Sequence, residues 1–425
     1  MSGSPIGTLL LVRNGIEHDA RVLRAARVAE TAVPGRALIV GVATTTAPAG
    51  RTTIAGITAL RLPARATSPT AKLASASPLA ATAQPAPVTT AQPIPTAQPI
   101  LNQPPRLSLR ARAGRLLAGA RFAWQALQLA RRTHPRPRLV HANDWNTMWC
   151  ALAIKLTCGA RVIYDSHELW PDRNGRWEWR PWLLASEALF VHAADAVLTA
   201  SPGYADVLAR RYRIGRPVVI RNIPEYLPSP HGQPTNGHSP NGLHAARRPL
   251  VVYVGGLMPG RGLEQTIDAL ALTADVRLRA IGPGPPSYRA GLQARADAAG
   301  VGDRLELLPP IPPSAVAGAL ADAAAGLCLI QPVCRSYELT LPNKLFEYAA
   351  AAVPVLASDL PVIAGVVRGA GLGEVVAPDD PAAIASGLTR LLDPQRHAEA
   401  TRRAAAFAVA NDWHTEARKL ARVYT

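Results

Sequence analysis

The pattern that most constrains this chain is an alternation of short apolar runs with amphipathic stretches, and it occurs twice. In the first half, residues 8–12 read as a strand, a turn follows at Asn14 and Gly15, and a helix is expected over 19–30. Strands at 37–42, 139–142, 161–164, 196–199 and 218–220 continue the series, with helices at 149–156 and 183–192. The alternation restarts with strands at 250–254, 276–281, 304–308, 326–330 and 353–357, and with helices at 263–272 and 288–299. Parallel strands need crossovers, and a helix is the usual crossover, so each series predicts a parallel sheet covered on both faces. The expected fold is therefore α/β, with two doubly wound Rossmann-like domains facing across a cleft and ligands beyond the carboxyl ends of the strands.

Two segments break the alternation. Residues 66–105 are rich in Pro, Ala, Thr and Ser and repeat Thr-Ala-Gln-Pro three times, a low-complexity composition without the side chains for a core. Residues 227–248 are rich in Pro, Gly and Asn and read as an interdomain linker. The organisation predicted is an N-terminal domain over 1–226 containing the insertion, a C-terminal domain over 249–395, and helices over 396–425.

Composition narrows the function classes. With 425 residues and 48% hydrophobic residues the chain is long enough for two ordinary cores. No stretch approaches the ~20 apolar residues of a membrane span, and the apolar run at 8–12 is too short for a signal peptide. The four cysteines form no CxxC pair and have no histidine at metal-ligand spacing, which predicts reduced thiols in a cytoplasm. A net charge of +17 points to an anionic partner: a nucleic acid, a membrane surface or a phosphorylated substrate. No zinc-finger spacing, basic zipper or aromatic RNA-binding signature is present, so no nucleic acid partner is expected. Between Arg106 and Arg138 lie nine arginines and no acid, interleaved with Leu116, Leu117, Phe122, Trp124, Leu127 and Leu129. That segment fits either an interfacial helix on the inner face of an anionic membrane or a helix packed on a sheet.

The chemistry concentrates in YELTLPNKLFEYAA, residues 337–350. Pro342 suits a first helical turn, so a helix is expected to start at Pro342 or Asn343 and to leave its first N–H groups unpaired. Those donors, the helix dipole and the Lys344 ammonium together suit a diphosphate. Only four of the 46 basic residues are lysine, which marks Lys344 as a compact point charge among planar arginines, although a solvated helix face would also accommodate it. The second feature is Gly255, Gly256, Gly260, Arg261 and Gly262 directly after a predicted strand, where glycine allows close backbone approach and arginine can grip phosphate. Gly282 and Gly284 follow the next strand. Neither GxGxxG nor a Walker motif occurs, which argues against a dinucleotide-binding oxidoreductase.

Taken in order, RNGIEHDARVLRAA (13–26), VHANDW (140–145), YDSHELWPD (164–172), LTASPGYADVL (198–208), RNIPE (221–225), VGGLMPGRGLEQTIDAL (254–270), IGPGP (281–285) and LPNKLFEYAAAAVPVLAS (341–358) resemble the retaining glycosyltransferases of family 4 type, which have the GT-B fold. The resemblance implies a hexosyl-type transferase moving a sugar from a UDP- or GDP-sugar to a hydroxyl acceptor, with retention, without a cofactor and without a metal. It implies that Arg261 and Lys344 hold the diphosphate, that Glu347 binds the ribose, and that Gly282 and Gly284 border the base. His167 would face the donor sugar, and Gly15 would let the N-terminal domain approach the phosphates. Gly255, Gly256, Gly262, Asn343 and Leu345 complete the donor side. The family commonly has two glutamates with seven residues between them; here Leu339 stands at the earlier position relative to Glu347, with Glu338 one residue before it. Glu338 is taken as the sugar-side acid. The alternative reading is a catalytically degenerate nucleotide-binding member of the same fold.

Overall fold

The computed structural model describes residues 5–17, 19–45, 47–63, 107–225 and 248–425. The low-complexity stretch, and the linker up to its last residue, lie outside them.

The first sheet contains β1 (Ile6–Leu11), β2 (Arg36–Val42), β3 (Gly50–Ile54), β4 (Ile57–Leu62), β5 (Leu139–Asn143), β6 (Arg161–Ser166), β7 (Ala196–Thr199) and β8 (Val218–Val219). Its order is β3-β4-β2-β1-β5-β6-β7-β8, parallel throughout except for the antiparallel β3–β4 pair. The helices are α1 (Ala20–Ala32), α2 (Leu109–Arg132), α3 (Trp145–Cys158), α4 (Arg180–Ala193) and α5 (Pro202–Tyr212). Leu9, Leu10 and Leu11 are fully buried on successive positions of β1, as a strand covered on both faces requires.

The second sheet contains β9 (Leu250–Val254), β10 (Arg277–Ile281), β11 (Leu305–Leu308), β12 (Ala325–Cys328), β13 (Val355–Ser358) and β14 (Gly373–Val376), all parallel, in the order β11-β10-β9-β12-β13-β14. Its helices are α6 (Leu263–Ala271), α7 (Pro286–Ala298), α8 (Val316–Ala319), α9 (Arg335–Glu338), α10 (Asn343–Ala350), α11 (Pro361–Ala370), α12 (Pro381–Leu391), α13 (Pro394–Ala410) and α14 (Trp413–Tyr424). In both sheets the order reverses beside the first strand of the series, and the loops that carry the distinctive residues open at the carboxyl ends there. The α/β fold of two doubly wound sheets expected from the sequence is the fold observed.

Two features go beyond the sequence reading. The β3–β4 hairpin turns on Ala55 and Gly56, with φ of 50° and 84°; two successive positive φ values suit the right-handed twist of a hairpin, but Ala-Gly lacks the Asn or Asp that usually signals it. The chain end also returns to the first half. Trp413, Leu420 and Tyr424 of α14 are buried with Val22, Ala25, Ala29 and Ile39, so α14 completes the N-terminal core while α13 packs on α10.

Candidate active site

On the C-terminal side the site is built where β9 ends. Gly255 has φ 140° and Gly282, after β10, has φ 153°; a Cβ on Gly282 would lie 1.9 Å from the Gly255 carbonyl oxygen, so the two loops meet only as glycine backbones. Gly256 accepts a hydrogen bond from the Tyr253 hydroxyl at 2.8 Å, Gly262 caps α6, and Gly284 lies against Leu257. Arg261, between Gly260 and Gly262, lays its guanidinium 4.5 Å from the Tyr337 ring centre and donates to the Tyr337 hydroxyl at 3.1 Å.

Helix α10 starts at Asn343, with Pro342 at its cap position and no capping side chain, so among the described residues the Asn343 and Lys344 N–H groups have no partner, while the Leu345 N–H donates to the Pro342 carbonyl at 3.3 Å. Asn343 is exposed and Leu345 anchors the helix in the core. Lys344 is 8% exposed, with its ammonium 3.4 Å from the Tyr253 ring centre. A Cβ at Gly255 would stand 3.3 Å from that nitrogen. Among the described residues no carboxylate lies within ion-pair distance of Lys344 or Arg261. Burial, reinforced by Arg261, lowers the Lys344 pKa to about 7. Glu347, one turn on, is partly buried; burial raises its pKa against the pull of Lys344 and of Arg24 from α1.

Across the cleft, β5 and β6 end in a group of charges. Asp144 adopts φ 64° at the start of α3, an uncommon conformation for a residue with a side chain, and its carboxylate accepts the His167 backbone N–H at 3.2 Å. His167 Nδ1 lies 3.5 Å from Asp144 and Nε2 lies 3.3 Å from Asp165. Burial disfavours the imidazolium, but the two carboxylates outweigh it and raise the His167 pKa to about 9. Burial would raise the Asp165 carboxyl; Arg21, gripping it with bonds of 2.7 and 2.8 Å, and His167 hold it well below the usual range instead. His141 joins Asp165 at 3.2 Å and the Tyr424 hydroxyl at 2.7 Å, which ties α14 into the network. Arg21 is therefore a buried positioning residue, and Asp19 caps α1. Glu168 has its pKa raised to about 7, by burial first and then by Asp144, against Arg173, His167 and Arg261.

The two halves touch around α9. Leu169 N–H donates to Ser336 Oγ at 3.3 Å, the Tyr204 hydroxyl to Ser336 O at 2.8 Å, and Ser201 Oγ to Leu339 O at 2.5 Å. Leu339 is buried with the N-terminal core, so the position of the missing family acid serves the domain seam. Glu338 pairs with Arg335 on its own turn at 2.7 Å. Gly15 packs on Thr44, and its carbonyl accepts from Arg61 at 3.1 Å. The structure thus brings Gly255, Gly256, Arg261, Gly262, Gly282, Gly284, Lys344 and Glu347 to one end of the second sheet and His167 to the matching end of the first. Glu338 is engaged elsewhere. Asp144, Tyr253 and Tyr337 were not singled out from the sequence; Asp144 follows a predicted strand directly, and Tyr337 opens the motif that contains Lys344.

The model of Glycosyltransferase Family 4 matches residues 83–223, and that of Glycosyl transferases group 1 matches residues 248–394. The chain belongs to the family-4-like glycosyltransferases of GT-B fold. It is 30% identical over 258 residues to a D-inositol 3-phosphate glycosyltransferase of Acidothermus cellulolyticus; the match covers 56% of this chain and about half of that relative, 54%. Among solved structures, sucrose-phosphate synthase of Thermosynechococcus elongatus aligns with a TM-score of 0.73 at 16% identity, covering 98% of each chain. Anabaena HepE in complex with UDP and glucose aligns at 0.63 with 17% identity over 98% of each chain. An α,α-trehalose-phosphate synthase of Burkholderia vietnamiensis aligns at 0.65 with 15% identity, covering all of this chain and 98% of the other. At such identities these likenesses show the GT-B fold, whose cleft holds the residues described above.

Proposed function

We propose that this chain transfers a hexosyl group from a UDP- or GDP-sugar to an acceptor hydroxyl with retention of configuration and without a metal. The observation that carries the reading is the pair of cations, Lys344 and Arg261, set on aromatic faces beside glycine loops and an uncapped helix start, with no carboxylate partner among the described residues. A diphosphate would supply the missing negative charge, and its charge grows as the anomeric C–O bond breaks, which is when both cations stabilise it most. Charge compensation is assigned to these two side chains; among the described residues no group of three or more His, Cys, Asp or Glu is arranged to hold a metal ion.

Glu347 is assigned to the ribose hydroxyls, Asn343 and Leu345 to shaping the phosphate loop, and Gly282 and Gly284 to the edge of the base. His167, whose protonated form Asp144 and Asp165 favour, is assigned to the side of the cleft that faces the donor sugar and is a poor base at neutral pH. The proton leaving the acceptor hydroxyl goes to the departing diphosphate oxygen, and the new C–O bond forms on the face from which the diphosphate leaves. The relatives that name UDP support a uridine donor. The ion pair of Glu338 with Arg335 and the burial of Leu339 favour one second reading, a member that binds nucleotide without turnover.

Incubation with a panel of nucleotide sugars and acceptors, with released UDP or GDP as readout and the product anomer assigned by proton NMR, tests the proposal. Turnover giving the donor's own anomeric configuration supports it. An inverted product removes the retention step, and tight UDP binding without release in any combination favours the second reading.

A further inference from the structure

Helix α2 has two apolar faces, and only one is used. At about 100° per residue, Phe122, Ala126 and Ala130 fall on one side, and all three are buried in the N-terminal core. Leu109, Leu116, Leu117 and Trp124 fall within an arc of roughly 100° on a different side. That second stripe faces water, with Leu116 65% and Trp124 62% exposed. Arg110, Arg121 and Arg132, all exposed, run along one border of the stripe. The surface continues onto the neighbouring helices: α2 packs on α3, α3 packs on α4, and Trp149 of α3 stacks on Trp182 of α4 at 5.8 Å with both rings partly in solvent. Trp179, just before α4, is 72% exposed. Helices α2 and α3 contain no acidic residue, and the acid within α4, Glu187, is fully buried.

We propose that this face of the N-terminal domain docks on an anionic lipid bilayer, with Leu116, Leu117 and Trp124 entering the interfacial layer and the flanking arginines meeting lipid phosphates. Exposed leucine and tryptophan beside an unbroken set of arginines is the pairing an interfacial helix needs, because apolar burial and attraction to anionic lipid add. A second copy of the chain fits poorly, since a self-contact across this stripe would set arginine against arginine. The site lies outside the cleft, so the inference stands or falls separately from the transfer reaction.

The test is sedimentation with phosphatidylglycerol-containing vesicles and with pure phosphatidylcholine vesicles, at low and high salt. The wild type is compared with Leu116→Ser/Leu117→Ser/Trp124→Ser and with Arg110→Gln/Arg121→Gln, and each variant is checked for its melting temperature and nucleotide binding. The wild type should sediment with anionic vesicles at low salt. The apolar triple variant should lose binding by on the order of ten-fold while keeping its fold and its nucleotide site, and the arginine variant should bind more weakly in a salt-dependent way. Equal binding by the triple variant would assign the effect to net charge alone and overturn the proposal. So would a wild type that stays in the supernatant, or a dimer in solution that these substitutions disperse.

Discussion

At the scale of single residues, the site spends stability on charge it cannot neutralise by itself. Lys344 is buried with a pKa of about 7, below lysine's ordinary 10.5, so between these values the unfolded chain binds more protons and stability rises with pH. Below pH 7 the full cost of the buried ammonium is present. Lys344→Met should therefore raise stability at neutral pH, by about 1 kcal/mol in urea unfolding, while removing the response to nucleotide; a destabilised variant would show that the lysine is held by contacts other than those seen. Binding of a diphosphate should restore the charge, so at pH 8 calorimetry in buffers of different ionisation enthalpy should show proton uptake by the wild type and none by Lys344→Met. Stability rises with pH through Asp165 as well, but there the charged form is the stabilising one. Its folded pKa is depressed, so its contribution is present above the ordinary aspartate pKa and is lost as pH falls through the folded value. Asp165→Ala leaves Arg21 and His167 facing a buried vacancy and should cost about 3 kcal/mol or more, with the largest loss near neutrality; a loss that did not shrink in acid would count against this assignment.

At the scale of elements, strand positions were legible because parallel strands buried on both faces read as unbroken apolar runs: 196–199 and 250–254 appear in the structure with those bounds. Helix α10 was legible from Pro342 and the apolar spacing after it. The hairpin of β3 and β4 was not, since Ala55 in a left-handed conformation carries no local signal. Nor was the return of α14, because an amphipathic helix shows that it has a partner and not which one. The site divides in the same way. Arg261, Lys344 and the glycines stand out through residue type and place, whereas the burial of Arg21 and the aromatic seats of both cations depend on contacts distant in sequence. The seam at α9 also had to be seen: Leu339 interrupts an expected acid for a packing reason. Leu420→Ala in α14 should cost about 2–4 kcal/mol, seen as earlier urea unfolding; a near-neutral result would mean that α14 is not part of the N-terminal core.

At the scale of the whole molecule, two sheets present opposed kinds of charge across one cleft. The second sheet offers cations without carboxylate partners among the described residues, and the first offers carboxylates already engaged by Arg21, His141 and His167. Such a cleft is matched to a ligand with a diphosphate on one side and a sugar between. At a nucleotide concentration about a hundred times Kd, the folded state should gain about 2.7 kcal/mol, a rise in melting temperature that other anions at the same ionic strength should not reproduce. The most direct measurement is binding and hydrolysis of a panel of UDP- and GDP-sugars by the wild type and by Lys344→Ala, with released nucleoside diphosphate as the readout. Release from one donor by the wild type, abolished in Lys344→Ala while that variant keeps its fold, is the predicted result. A folded wild type that binds none of the panel, or a Lys344→Ala variant that releases nucleotide at the wild-type rate, would contradict the assignment of Lys344 and Arg261 to the donor diphosphate.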